Sequence, residues 1–442
     1  MGNKSNQLKE IAASIVSRLN KAGFEAYLVG GCVRDLVMQK TPKDYDIATS
    51  ATPEQIISLF PKTVEIGKAF GVVTVVEDHN QFEVATFRSE GLYSDGRRPD
   101  QVTFTTAKED VLRRDFTING LLFDFKTSQV IDYVEGQKDL QQKIIRTIGD
   151  PEKRFTEDKL RMLRAIKFAC RLGFNIEPNT WAALKQHSKE ITQISAERIR
   201  YELQGILTEG QARRGFELLD ESTLLEHILP EALQLKGVEQ PPEFHPEGDV
   251  WVHTLMMLEG LDHPSPELAW AVLLHDIAKP QTFTVRGRIR FDGHDKLGAE
   301  MAETILKRLK CSNETIERAS SLIAQHLRFK DAPNMRTSKL KRFLRQEHFD
   351  EHLALHRLDC LSSHRILDLY EFCKKKLTEL PPEEIKPPRL ITGQDLIQLG
   401  FTPGPLFSKI LTEVETEQLE GTLKTKDEAI AFVKNNYLNQ PK

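Results

Sequence analysis

Two aspartates one residue apart, Asp44 and Asp46, follow a glycine pair in the run Tyr27-Leu-Val-Gly-Gly-Cys-Val-Arg-Asp35. The segment Asp44-Tyr45-Asp46-Ile47-Ala48 has the period of a strand. Both carboxylates therefore face one way, and Tyr45 and Ile47 face the other. Neighbouring carboxylates repel, and a hard divalent cation with oxygen ligands, Mg²⁺ above all, relieves that repulsion. Gly30 and Gly31 leave bare backbone where phosphate oxygens can meet N–H groups. Together these residues point to metal-assisted nucleotidyl transfer. To position them the chain needs a buried strand over Ala26–Val29, ended by the glycines, and a short helical turn opening at Arg34 and Asp35.

Further polar residues extend this site. In the β-rich run Phe82–Phe87, Glu83 is a candidate third carboxylate beside Asp44 and Asp46. Arg113-Arg114-Asp115 sets a planar phosphate- and ribose-binding fork next to a carboxylate, and Asn119 adds an amide. Within Glu157–Arg171, Asp158, Arg161, Arg164, Lys167 and Arg171 recur every three or four residues and form one helical stripe. Leu163, Ile166 and Cys170 form another.

The second half has a different chemistry. Ten of thirteen histidines fall between His245 and His364. His253, the contiguous His275-Asp276, His294, His326 and Asp359 suggest a second metal site, and imidazole with carboxylate suits several divalent ions without choosing one.

At 442 residues the chain exceeds a single core. A net charge of −4 with 29% charged residues describes a soluble protein without a global basic field, so any nucleic-acid contact must use locally grouped cations. No apolar run reaches the length of a membrane span, and the first residues lack the apolar core of a signal peptide. Five scattered cysteines fit a reducing cytoplasm. Periodicity predicts an amphipathic helix over 5–22, an α/β segment to about 150 and mainly helices afterwards. Pro241-Pro242 and Pro381-Pro382 mark linkers. The expected domains are therefore 1–150, 151–240, 241–380 and 381–442.

The G-G-x-V-R-D run with its D-x-D resembles the polymerase-β-like nucleotidyltransferases, specifically the bacterial tRNA nucleotidyltransferase and poly(A) polymerase family. The resemblance implies an α/β head with a mixed sheet, followed by all-α neck, HD and tail domains. It implies Mg²⁺ at Asp44 and Asp46, the triphosphate at Gly30, Gly31 and Arg34, and ribose recognition by Arg114, Asp115 and Asn119. Gly120 stands where the family more often has alanine. Glu157-Asp158-x-x-Arg161 matches the nucleotide-selecting motif, with Arg164 and Lys167 holding phosphates.

The chemistry of that motif is sensible. Cytosine and adenine both place an amino donor beside an unprotonated ring nitrogen, so a carboxylate and a guanidinium complement both. Uracil and guanine have the reverse polarity, and each mismatch should cost roughly 1–3 kcal/mol in a buried site. The glycine-rich Gly91–Asp100 connector matches a loop found in relatives that add the terminal A. Ser195–Leu203 resembles the neck helix, and Ile391–Pro405 the segment after the HD domain, read as a tRNA-facing cap. The histidine set is similar to the HD phosphohydrolase superfamily, with His253, His275, Asp276 and Asp359 as the core ligands and His294 and His326 as those of dinuclear members. Lys279 resembles its phosphate-contacting lysine. The implied activity is addition of CCA to the tRNA 3′ end from CTP and ATP. A-only addition, poly(A) synthesis and an HD phosphohydrolase with an RNA-binding N-terminal domain are the alternatives.

Overall fold

The computed structural model describes residues 2–65, 67–90 and 102–438. The Gly91–Asp100 connector lies outside them. The chain forms two compact units. One comprises Met1–Gln234 with Leu261–Ala269 and Ile305–Ser312. The other comprises Leu235–Gly260, Trp270–Thr304 and Asn313–Lys442.

The first unit is built on a seven-stranded mixed sheet. In spatial order its strands are Thr63–Val64, Val72–Glu77, Asn80–Thr86, Ile47–Thr49, Ala26–Val29, Leu121–Asp124 and Gln129–Asp132. Val72–Glu77 and Asn80–Thr86 form a hairpin whose turn places Asp78 and His79 at positive φ, the conformation a tight two-residue turn demands. Ile47–Thr49 pairs in parallel with Asn80–Thr86, Ile47 opposite Val84. One step back along this register, Asp46 comes level with Glu83.

On its other side Ile47–Thr49 runs antiparallel to Ala26–Val29. The strand itself begins only at Ile47, but the Val29 N–H still donates to the Asp46 carbonyl at 3.0 Å. Tyr45 and Ile47 are buried and Asp44 is exposed, so the alternation expected from the sequence holds through the approach to the strand. The helix after the glycines spans Gly31–Val37 and starts three residues earlier than Arg34. Gly30 turns the chain at φ 76°, and its carbonyl accepts from the Arg34 N–H at 3.1 Å, closing the first turn there.

After the sheet the unit is helical. The expected helix over Glu157–Arg171 is broken. Pro151–Glu157 ends with Asp158 in an extended conformation, and Leu160–Leu172 begins afresh. Asp158 thus sits in a joint between helices. The stripe continuing from it is also not a wet face: Arg161 and Lys167 are buried with Leu163, Ile166 and Cys170.

The second unit is mainly helical, with one hairpin, Phe283–Arg286 against Arg288–Phe291, turning at Gly287. One of its cores gathers Phe329, Phe343, Phe349 and Cys373. A separate one gathers Ile391, Leu396, Ile410, Val414 and Val433 in the C-terminal segment. There Asp395 caps a helix through Thr392 and pairs with Lys426 at 2.5 Å.

Candidate active site and metal centre

The sheet register brings Asp44, Asp46 and Glu83 together. Burial pushes the Asp46 carboxyl up to about 6, and repulsion from Asp44 and Glu83 adds to the rise, with Arg114 opposing it. A carboxylate so crowded is in the state that a cation relieves. Beside it, a Cβ on Gly30 would lie 3.4 Å from Arg114 Nη1, so the guanidinium closes over bare backbone. Arg114 is aimed by Asp110, whose two oxygens take Arg113 at 2.7 Å and Arg114 at 2.9 Å. Asp110 is buried and was not singled out from the sequence.

Next to the glycines lies a continuous polar network. Buried Arg34 donates to Asn119 Oδ1 at 2.9 Å and, through two nitrogens, to Asp35. Asn119 in turn donates to Asp115 Oδ1 at 3.2 Å. Arg164 grips the other Asp115 oxygen at 2.6 and 2.9 Å, and this holds the Asp115 carboxyl below its usual range against the effect of burial. Lys167 pairs with buried Glu202 at 2.6 Å. Phe168 lies under the charges of Arg34, Arg164 and Lys167, with each cation between 5.4 and 5.7 Å from the ring centre. Residues 34, 115, 119, 164 and 167 are therefore one assembly.

The base-reading candidates are placed differently. Arg161 is fixed by Glu157 at 2.7 Å and by the carbonyls of Arg154 and Arg113. Asp158 is held by Arg198 at 3.1 Å, on the helix Ala196–Thr208. The two do not bond to each other. Each is oriented by its own partners, and Arg198 and Glu202 join the site from about forty residues away in sequence. Gly120 is also accounted for. A Cβ there would lie 2.8 Å from Val134 Cγ2 and 3.0 Å from Ile148 Cδ1, so these side chains occupy the space an alanine would need.

In the second unit the histidines converge. Ligand atoms of His253, His275 and Asp359 lie within 4.8 Å of one another, and so do those of Asp276, His294 and His326. His275 Nδ1 donates to the Val272 carbonyl at 2.9 Å. His294 Nδ1 and His326 Nδ1 donate to the carbonyls of Phe291 and Ile323, both at 2.6 Å. In each case this fixes the proton on Nδ1 and leaves Nε2 as a lone pair facing the cluster. Burial lowers His294 and takes His326 down to about 4, so both are neutral, the form that ligates. His275 Nε2 and Asp276 Oδ2 are buried 3.0 Å apart, and both His253 nitrogens are buried between carboxylates, Glu247 Oε1 at 2.8 Å and Asp359 Oδ1 at 3.2 Å. Buried nitrogen and oxygen donors facing one another at these distances fit a divalent ion. Lys279 reaches Asp276 at 2.7 Å, and a cavity of about 440 Å³ opens above, lined also by Arg288, Arg290 and Lys330.

Residues 26–146 match the Poly A polymerase head domain, 173–235 the RNA- and SrmB-binding region of polymerase A, and 295–433 domain 2 of tRNA nucleotidyltransferase. The chain is 34% identical to the CCA-adding enzyme of Enterococcus faecalis over 432 residues, 96% of this chain and 95% of that one. The chain belongs to the CCA-adding enzyme family. Another family member, from Leuconostoc mesenteroides, is 33% identical over 431 residues, 97% of this chain and 96% of that one. Among solved CCA-adding enzymes, that of Bacillus stearothermophilus in complex with CTP superposes with a TM-score of 0.73 at 27% identity, covering 96% of both chains. The family's nucleotidyltransferase chemistry brings a dependence on divalent metal, and among the described residues no helix is long and apolar enough to cross a membrane.

Proposed function

We propose that this chain adds C, C and A in turn to the 3′ end of tRNA, from CTP and ATP and without a nucleic-acid template. The observation that carries the reading is the crowding of Asp46 by Asp44 and Glu83 beside the Gly30–Gly31 turn. In this reading Asp44, Asp46 and Glu83 hold Mg²⁺, which would activate a ribose 3′-OH and neutralise the departing pyrophosphate. Gly30, Gly31 and Arg34 receive the triphosphate, together with Arg164 and Lys167. Arg114, Asp115 and Asn119 meet the ribose. Asp158 accepts from the amino group of cytosine or adenine, and Arg161 donates to the ring nitrogen. The five cysteines are free of disulfides, which supports a cytoplasmic setting.

The test supplies tRNAs ending before CCA, after C and after CC with each nucleotide singly and then together. Stepwise incorporation of C, C and A is the expected result. Extension of only the CC-ended tRNA, by ATP alone, would make it an A-adding enzyme. Long A tracts would make it a poly(A) polymerase.

The clustered imidazole and carboxylate donors of the second unit favour a further activity of another class, a metal-dependent phosphohydrolase. His253, His275, Asp276, His294, His326 and Asp359 would be its ligands. A divalent ion held there would lower the pKa of water for attack on a phosphoester. Lys279, Arg288, Arg290 and Lys330 line the cavity where that phosphate would sit. Hydrolysis of a nitrophenyl phosphate by the Asp44→Ala protein, lost in His275→Ala, is the expected result. No hydrolysis with any of Mn²⁺, Ni²⁺, Co²⁺ or Mg²⁺ would reject it.

A further inference from the structure

One imidazole of the histidine cluster is held differently from the rest. His275, His294 and His326 each anchor Nδ1 on the carbonyl three residues before them. His253 does not. The equivalent carbonyl, that of Val250, accepts instead from the Thr254 hydroxyl at 2.9 Å. In its place stands a carboxylate: Glu247 Oε1 lies 2.8 Å from His253 Nδ1, while Asp359 Oδ1 lies 3.2 Å from Nε2 on the other side. The Glu247 side chain is 4% exposed, and the same oxygen accepts from His245 Nδ1 at 2.8 Å.

We propose that Glu247 is the positioning residue of this metal centre, the carboxylate that orients His253 and fixes its proton on Nδ1. The proposal rests on the metal reading of the cluster given above. A buried imidazole flanked by two carboxylates can carry a proton on each nitrogen while no metal is bound. A cation at Nε2, on the Asp359 side, displaces any proton there to solvent, and Nδ1 keeps its proton and donates it in a hydrogen bond to Glu247. A charged acceptor in place of a neutral carbonyl also makes His253 the most electron-rich nitrogen of the set. His245, Glu247 and His253 are also close enough together to share an ion. Oε1, however, stands at hydrogen-bond distance, 2.8 Å, from Nδ1 of both rings, as one acceptor between two donors, so we assign Glu247 the role of acting through His253.

The experiment titrates Co²⁺ into the full-length protein and follows the visible absorption of imidazole-bound cobalt, with metal-free melting as the control for folding. Glu247→Gln should raise the apparent Kd about 10–100-fold. Glu247→Asp should recover part of the loss, and the metal-free melting temperature should stay at the wild-type value. Titration of Glu247→Gln indistinguishable from wild type would overturn the proposal. So would a fall in affinity matched by a fall in metal-free melting temperature, which would mark a merely structural role. A wild-type protein with no imidazole-bound cobalt signal, and no difference from His275→Ala, would remove the metal reading itself and this inference with it.

Discussion

Arg198 holds Asp158. Its Nη2 lies 3.1 Å from one carboxylate oxygen and 3.3 Å from the other, across the joint between the helices Pro151–Glu157 and Leu160–Leu172. The start of the second helix holds one of these oxygens as well, the Leu160 N–H donating to Oδ1 at 3.1 Å, so Arg198 supplies the hold on Oδ2. Arg198→Ala should therefore leave addition itself largely intact and loosen base choice. Discrimination against UTP should fall about tenfold, within the roughly 1–3 kcal/mol of one mismatched pairing. Competition between labelled UTP and CTP on a tRNA lacking CCA measures it.

The crowding at Asp46 makes its ionisation costly in the metal-free protein. Its folded pKa is raised to about 6 from an ordinary value near 3.8. A raised carboxyl contributes stability that is fully present below the unfolded pKa and is lost as pH rises through about 6. Chelated protein should accordingly lose melting temperature between pH 4 and 7, and Asp46→Asn should flatten that slope while abolishing nucleotide addition. Protons and the divalent ion compete for the same oxygens, so the acid limb of the rate profile should lie near 6 at low Mg²⁺ and move down as Mg²⁺ saturates.

Gly120→Ala should destabilise the head. The added methyl meets Val134 and Ile148 at 2.8 and 3.0 Å, and overpacking of this kind costs about 1–3 kcal/mol. Urea unfolding of the first unit's transition gives the number. Pairing the substitution with Val134→Ala should recover most of it.

The two candidate centres lie in different compact units, and their chemistry should separate. Asp44→Ala should abolish CCA addition and spare phosphoester hydrolysis. His275→Ala should do the reverse. Parallel assays on the same preparations check both.

Much of the head could be read from its residues. The apolar run Ala26–Val29 stops where Gly30 must turn with positive φ, and Tyr45 and Ile47 bury themselves whichever strand pairs beside them. The joint at Asp158 could not be read, because the three-to-four spacing of charges runs straight through it. Burial of the cations was equally hidden. Arg161, Arg164 and Lys167 look solvated until Glu157, Asp115 and Glu202 arrive to neutralise them, and all three lie outside the helix Leu160–Leu172 that carries the cations. The hairpin Phe283–Phe291 carried a usable signal, alternating apolar residues about Arg286-Gly287, inside a stretch otherwise helical. Glu247 carried none. It lies in a proline-bounded loop that looks like a linker.

The anchoring of His275, His294 and His326 on main-chain carbonyls has an evolutionary corollary. Backbone acceptors are supplied by any residue, so drift in the neighbouring side chains leaves those three rings aimed as before. Genetic variation can retune the centre without touching its ligands mainly where a side chain does the aiming. Among the described residues those places include Glu247 beside His253 and Lys279 beside Asp276.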